Sequence, residues 1–378
     1  MKLQKLLLIP IVCFGILPNV RAVVPPPDGG YPGFTTAEGT NALKHLTSGS
    51  ANTGLGWYSL FTDSTASYNT GVGAATLVLN NADENTATGT GALFLNTSGN
   101  GNTANGAFAL IFNDTGVANT ALGNRALFSN TEGDFNTATG FFALHDNIGG
   151  TGNTANGASA LQHNTTGTLN TAVGGNALLG NTEGTDNTAA GANALSGNVT
   201  GDFNTADGSG ALSSNIGGNA NTAIGAGALA DNTAGSNTAV GTGALHDNTT
   251  GISNTAVGVS ALGNNTMGDD NTALGLFALI DASGSNNIGI GRSAGANVST
   301  GSHIICIGAD GANVDNSCYI GNIWQQPGGA QAVYVDSTGK LGAQVSSRRF
   351  KKDIKPMEQS SEVVLPTQTG ELSLQAGD

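Results

Sequence analysis

Asn170-Thr171-Ala172-Val173-Gly174-Gly175-Asn176-Ala177-Leu178 is one copy of a phrase, Asn-Thr-Ala-x-Gly-x-x-Ala-Leu, that the chain writes twelve times between Asn85 and Leu279. The copies begin at Asn85, Asn102, Asn119, Asn136, Asn153, Asn170, Asn187, Asn204, Asn221, Asn237, Asn254 and Asn271, and looser ones begin at Thr35, Asn52, Asn69 and Asn287. Of the fifteen intervals between these sixteen starts, twelve are 17 residues long and three are 16. A fixed short period marks a chain whose units pack only on their neighbours, as in a solenoid or roll. In the strict copies the third slot is always Ala and the fifth always Gly, while the fourth runs through Val173, Thr88, Asn105, Leu122, Ala190, Asp207 and Ile224. A constant small residue beside a variable one that tolerates Asp predicts a strand, with the small side chain inward and the variable one outward. The fold class is therefore mainly β, a repetitive parallel β-roll or solenoid with coils of 16–17 residues.

Within a coil, Ala177-Leu178 supplies the one sizeable apolar anchor, and Asn181-Thr182-Glu183-Gly184 reads as a turn. A coil of this length holds a short strand, a compact Ala-Leu segment and two turns. The Ala-Leu segment fits either a second strand or a single helical turn; pattern alone does not choose. Stacked identical Asn and Thr side chains can form hydrogen-bond ladders along the stack. At about 4.8 Å per coil, the sixteen coils would span roughly 75 Å. Two alanines and a leucine per coil bury little area at about 25 cal/mol per Å², so several chains are expected to pack side by side.

Outside the array the composition changes. Residues 1–22 read as a secretory signal: Lys2 and Lys5 open it, Leu6 to Leu17 form its apolar core, and Val20-Arg21-Ala22 suits cleavage before Val23. The apolar stretch is short and broken for a membrane span, and Cys13 lacks the small residue before it that a lipid anchor needs. Residues 23–34, with Pro25-Pro26-Pro27 and Pro32, form a stiff lead-in, and residues 35–325 are the rod. Near its end, His303 to Gly308 and Cys318 to Asn322 are richer in apolar and β-branched residues and read as closing strands. Cys306 and Cys318 can pair within a chain, pair between chains, or stay as buried thiols. Residues 326–345 are a linker and last hairpin, with Val333-Tyr334-Val335 as one arm.

Charge separates the rod from the C-terminal segment. Of 378 residues 59 are Gly, and only 10% are charged. From His45 to Gly339 there are two basic residues, Arg125 and Arg292, against nineteen Asp and Glu. Such a surface repels phosphate backbones and anionic lipid, which excludes a nucleic-acid partner. Six of the twelve Lys and Arg lie beyond it: Lys340, Arg348, Arg349, Lys351, Lys352 and Lys355.

The Asn-Thr-Ala-x-Gly array resembles, over residues 35–325, the head repeats of trimeric autotransporter adhesins. That resemblance implies three chains winding into a left-handed parallel β-roll. The stalk and membrane barrel of those adhesins have no counterpart here. Ser346-Ser347-Arg348-Arg349-Phe350-Lys351-Lys352-Asp353-Ile354-Lys355-Pro356 resembles the opening of the endosialidase-type intramolecular chaperone at the C-terminus of phage tail fibres. That second resemblance implies self-cleavage between Val345 and Ser346, with Ser346 attacking and Lys351 as its base. A lysine among other cations has a lowered pKa and can take the hydroxyl proton, and Arg348, Arg349 and Lys352 are such neighbours. Residues 346–378 are shorter than that family's domain, so a truncated chaperone is expected.

His45, His145, His163 and His246 fall in or beside the Ala-Leu-x-x-Asn segment and read as variable outward slots, because a metal site needs ligands stacked on adjacent coils. Asp146, Asp231, Asp247 and Asp270 do not follow the pattern of calcium-binding rolls. No metal, no cofactor and no nucleotide fingerprint is expected. The expected function is that of an exported, secreted or cell-surface structural or binding protein. Its partners would be its own copies, as a homotrimer, and a host-surface or extracellular ligand. The alternative is a self-processing serine peptidase precursor.

Overall fold

A computed structural model describes residues 33–322 and two later strands, Val333–Val335 and Leu341–Ala343. The chain divides into two compact units between Trp324 and Gln325. The first carries eighteen strands of three residues each, from β1 (Thr36–Glu38) through β9 (Thr171–Val173) and β10 (Thr188–Ala190) to β16 (Ile288–Ile290), β17 (Ile305–Ile307) and β18 (Cys318–Ile320). Every strand pairs in parallel with the next in chain order. The register follows the repeat, so Thr171 stands beside Thr188 and Ala172 beside Ala189. No helix occurs among the described residues. Each coil is thus one strand and a return path, and eighteen of them stack over about 80 Å.

Alternation holds in β9: Thr171 is half-buried, Ala172 is buried and Val173 is exposed. The Ala-Leu segment is neither of the two forms the pattern left open. Ala177 and Leu178 are adjacent, and both are fully buried. A strand would send one of them outward. The chain instead turns left-handed at Asn176 (φ 58) and Leu178 (φ 52), which brings both side chains inside. The leucines of the array repeat this conformation, with φ between 49 and 53 from Leu93 to Leu279. A left-handed non-glycine residue costs on the order of 1 kcal/mol, so each coil gives up some backbone energy to double its apolar anchor.

The other half of the interior is polar. Asn170 and Asn181 are both fully buried, and both belong to columns. In the first column, the Asn170 N–H donates to Asn153 Oδ1 at 3.0 Å and its Nδ2 donates to Gly184 O at 2.7 Å. In the second, Asn181 Nδ2 donates to Asn164 Oδ1 at 2.9 Å and to Gly184 O at 3.0 Å. The expected asparagine ladders are present, and there are two of them. The strand threonines stand outside both. Threonine contributes on the return path, where Thr165 Oγ1 donates to the Thr182 carbonyl at 2.8 Å and Thr182 Oγ1 to the Val199 carbonyl at 3.1 Å. Two ladders and a closed apolar half thus fill the coil interior with residues of one chain.

The shorter coils show what the ladder depends on. In the coil from Asn221, Asn232 Nδ2 turns to Ala234 O at 2.7 Å, and buried Asn215 Oδ1 below it is left without a partner. Removing one residue from the turn moves the amide out of register with its column.

Asp63 stands where later coils place the second column's asparagine. It is fully buried, accepts from the Ala66 N–H at 3.1 Å and from Asn69 Nδ2 at 3.3 Å, and faces no cation. Burial pushes its carboxyl from 3.8 up to about 6, against the pull of those hydrogen bonds. An acid raised in the folded state adds stability that is fully present below its unfolded pKa and is lost as pH rises through its folded pKa. Asp63→Asn is therefore expected to stabilise the first coils by about 2 kcal/mol at neutral pH after discounting for solvent screening, and by nothing below about pH 4. Hydrogen exchange of the Asn52 coil at both pH values checks this. An equal gain at both would assign the effect to packing.

In the second unit, β19 (Val333–Val335) pairs antiparallel with β20 (Leu341–Ala343), as a hairpin does.

Candidate functional site

Ser346 and Lys351 lie outside the described residues. The sites the structure does describe are on the surface of the rod, where the slots that vary between coils are brought into columns.

The two cysteines go to opposite faces. β17 and β18 are adjacent and in register, Ile305 beside Cys318 and Cys306 beside Tyr319. Cys306 is therefore an inward residue and fully buried, Cys318 is an outward one and exposed, and both are free thiols. Burial raises the Cys306 thiol, with the neighbouring Cys318 and Asp310 adding to it. A disulfide between these two within one chain is excluded by the alternation of the strand.

The outward face of the sheet changes character along the rod. Its fourth-slot column carries Asn105, Asn156 and Asp207 among the earlier coils. From Ile224 onward it is apolar in every coil, through Val240, Val257, Leu274, Ile290 and Ile307 to Ile320. All of these except half-buried Val240 are exposed. A contiguous apolar row of this kind is uncommon on a surface that meets only water.

A second surface feature runs along the return path. Leu79, Leu95, Phe112 and Ser129, with Thr97, Asp114, Thr131 and Ile148, line an open groove of about 580 Å³. The Thr97 hydroxyl donates to the Asp114 carboxylate of the next coil. Beside the groove, aromatic rings climb the stack: Phe112 to Phe128 at 5.0 Å and Phe128 to His145 at 4.8 Å between centroids. The Arg125 guanidinium sits 5.6 Å from the Phe128 centroid and 5.5 Å from that of Phe142.

The histidines occupy outward slots, as expected, yet they do not stand alone. Asp146 is bracketed by two of them, His145 Nδ1 at 2.5 Å and His163 Nδ1 at 2.7 Å. Burial acts to raise the Asp146 carboxyl, but the hydrogen bonds from His145 and His163 outweigh it and hold the group below its ordinary value. His246 Nδ1 lies 2.5 Å from Asp247 Oδ1, and Asp231 joins them from the preceding coil. The expectation of no metal took the ligands to be unstacked, and at this point they are stacked. The signal is available in the sequence as an offset, since 146 to 163 and 231 to 247 are each one coil apart.

Comparison with family models, with curated proteins and with solved structures finds no match to the chain.

Proposed function

We propose that the chain is an exported structural and binding rod, adhesin-head-like or tail-fibre-like, that presents a repetitive surface. The observation that carries this reading is the stack itself: an interior held constant coil after coil, with sequence variation confined to outward columns. A catalytic cleft would need a break in that regularity. The rod instead offers columns, a groove and a ladder of rings, which suit an extended partner met along several coils at once. The secretory reading of residues 1–22 supports export. Among the described residues no helix is long and apolar enough to cross a membrane.

Self-association into three copies belongs to the same proposal. Its support is the resemblance to trimeric adhesin heads, together with the apolar outward row from Ile224 to Ile320, which a second and third copy would cover. The coil interior makes no demand for it. A second reading, a self-processing serine peptidase precursor, rests on Ser346 and Lys351 and the motif around them.

Native mass spectrometry of the exported chain, beside its Ser346→Ala variant, addresses both readings. A trimer whose chains end at Val345 in the wild type, and run on in the variant, is the result expected if both hold. A trimer of uncut chains would leave the rod and remove the peptidase. A monomer would remove the copy-to-copy packing and leave a self-sufficient solenoid.

A further inference from the structure

We propose that Asp231, His246 and Asp247 form a binding site for one divalent transition-metal ion, of the zinc class, on the outer wall of the rod. The three side chains come from two adjacent coils, and one ligand atom of each lies within 4.8 Å of the others. His246 and Asp247 come directly after the anchor Leu245, and Asp231 comes two residues after the anchor Leu229. Their backbone is therefore set by the most constrained part of the coil. The Asp231 N–H donates to the His246 carbonyl at 3.0 Å, which pins one coil to the other at the site itself. The imidazole lies over Gly227, its Cδ2 only 3.4 Å from where a β-carbon would stand. That is ordinary van der Waals contact, so the ring packs on the glycine of the preceding coil.

Charge points to a cation. Asp231 and Asp247 occupy the same slot on neighbouring coils, and like charges directly opposite one another in a stack are destabilising. Lys44, Arg125 and Arg292 are the only Lys and Arg between residues 33 and 322, and the coil of Arg292 lies three coils further on, about 14 Å along the stack. No Lys or Arg therefore neutralises the pair; the imidazole of the site itself meets Asp247, with His246 Nδ1 2.5 Å from Asp247 Oδ1, a contact that a bound ion would replace. Ser214 Oγ donates to Asp231 Oδ1 at 3.4 Å, a weak contact that leaves the other carboxylate oxygen available.

The donor set selects the ion. One imidazole nitrogen with two carboxylates suits zinc and its neighbours, whereas magnesium and calcium favour oxygen alone. Three protein ligands in an exposed position leave the remaining places to water or to a group on a partner.

The Ala-Leu-His-Asp-Asn sequence of the site recurs at Ala143 to Asn147, where it meets a different neighbour. There His163 of the next coil turns its Nδ1 to Asp146, so that the lone carboxylate is spent on two imidazoles. The second carboxylate, Asp231, is what distinguishes the metal site.

The test is titration of the full-length chain with zinc chloride, monitored by calorimetry, in the wild type and in His246→Ala and Asp231→Asn. All three side chains are on the surface, so the variants are expected to melt as the wild type does. Each substitution is expected to remove one equivalent of bound zinc or to weaken its binding by roughly tenfold or more, with magnesium giving no comparable heat. Zinc binding that is absent in the wild type, or unchanged in both variants, would overturn the assignment.

Discussion

Asn181→Ala is expected to destabilise the middle of the rod by about 4 kcal/mol, for a side chain that carries no charge. The reason is the column it belongs to. Asn181 Nδ2 donates to Asn164 Oδ1 at 2.9 Å, and Asn181 Oδ1 accepts from Asn198 Nδ2 at 2.7 Å. Truncation leaves Asn164 Oδ1 below without its partner and frees one of the two Nδ2 hydrogens of Asn198 above, the other staying on Gly201 O at 2.9 Å, in a fully buried interior. Each such group costs about 1–3 kcal/mol when desolvated without a partner. The Gly184 carbonyl escapes, because Asn170 Nδ2 also donates to it at 2.7 Å. Since each coil contacts only its neighbours, the loss should be local. Hydrogen exchange should open across the coils from Asn164 to Asn198 while the coils near Asn85 keep their protection. A change within about 0.5 kcal/mol would mean that the columns are a consequence of the stack and not one of its supports.

Gly174→Ala should cost still more, above about 4 kcal/mol, although it adds a single methyl group. Gly174 has φ +133, which L side chains rarely adopt. An added β-carbon would also stand 2.6 Å from the Gly191 carbonyl oxygen of the next coil. Both obstacles are backbone, so no rotamer change relieves them. The same glycine column runs through the array, and a β-carbon on Gly157 would press on the Gly174 oxygen in the same way. The strand leaves the sheet here, and the turn must pass flat against the coil above. Denaturant melts of the purified variant give the measurement. A variant that melts with the wild type would show that the coils can separate enough to admit the methyl group.

These two residues show how far sequence reaches in a repeat protein. Gly174 is legible as a constraint, because glycine recurs at every fifth slot, but the reason for it is not. Asn181 reads as part of a turn, which describes its backbone and misses its burial. Polar residues in a return path look alike whether they face water or a ladder, and only the stack distinguishes them. Leu178 is legible as an anchor, while its left-handed conformation is not. Adjacent Ala and Leu can both be buried only if the chain reverses between them, and a one-dimensional pattern does not say which way it turns. Asp63 is one substitution in a column that becomes visible only after the column has been found.

By itself the sequence determined the period, the strand at Thr-Ala-x, which of its side chains face inward, and the parallel in-register stacking. All of these arise from short-range alternation repeated at a constant interval. Tertiary structure decided which slots of the return path face inward and which stacked side chains bond across coils. It stacked Asn181 on Asn164, turned Cys306 and Cys318 to opposite faces, and brought Asp231 beside His246 and Asp247. Contacts of that kind depend on small differences between coils of 16 and 17 residues, and on the direction in which each side chain leaves a turn. Periodicity carries the average coil; a site is made by the departures from it.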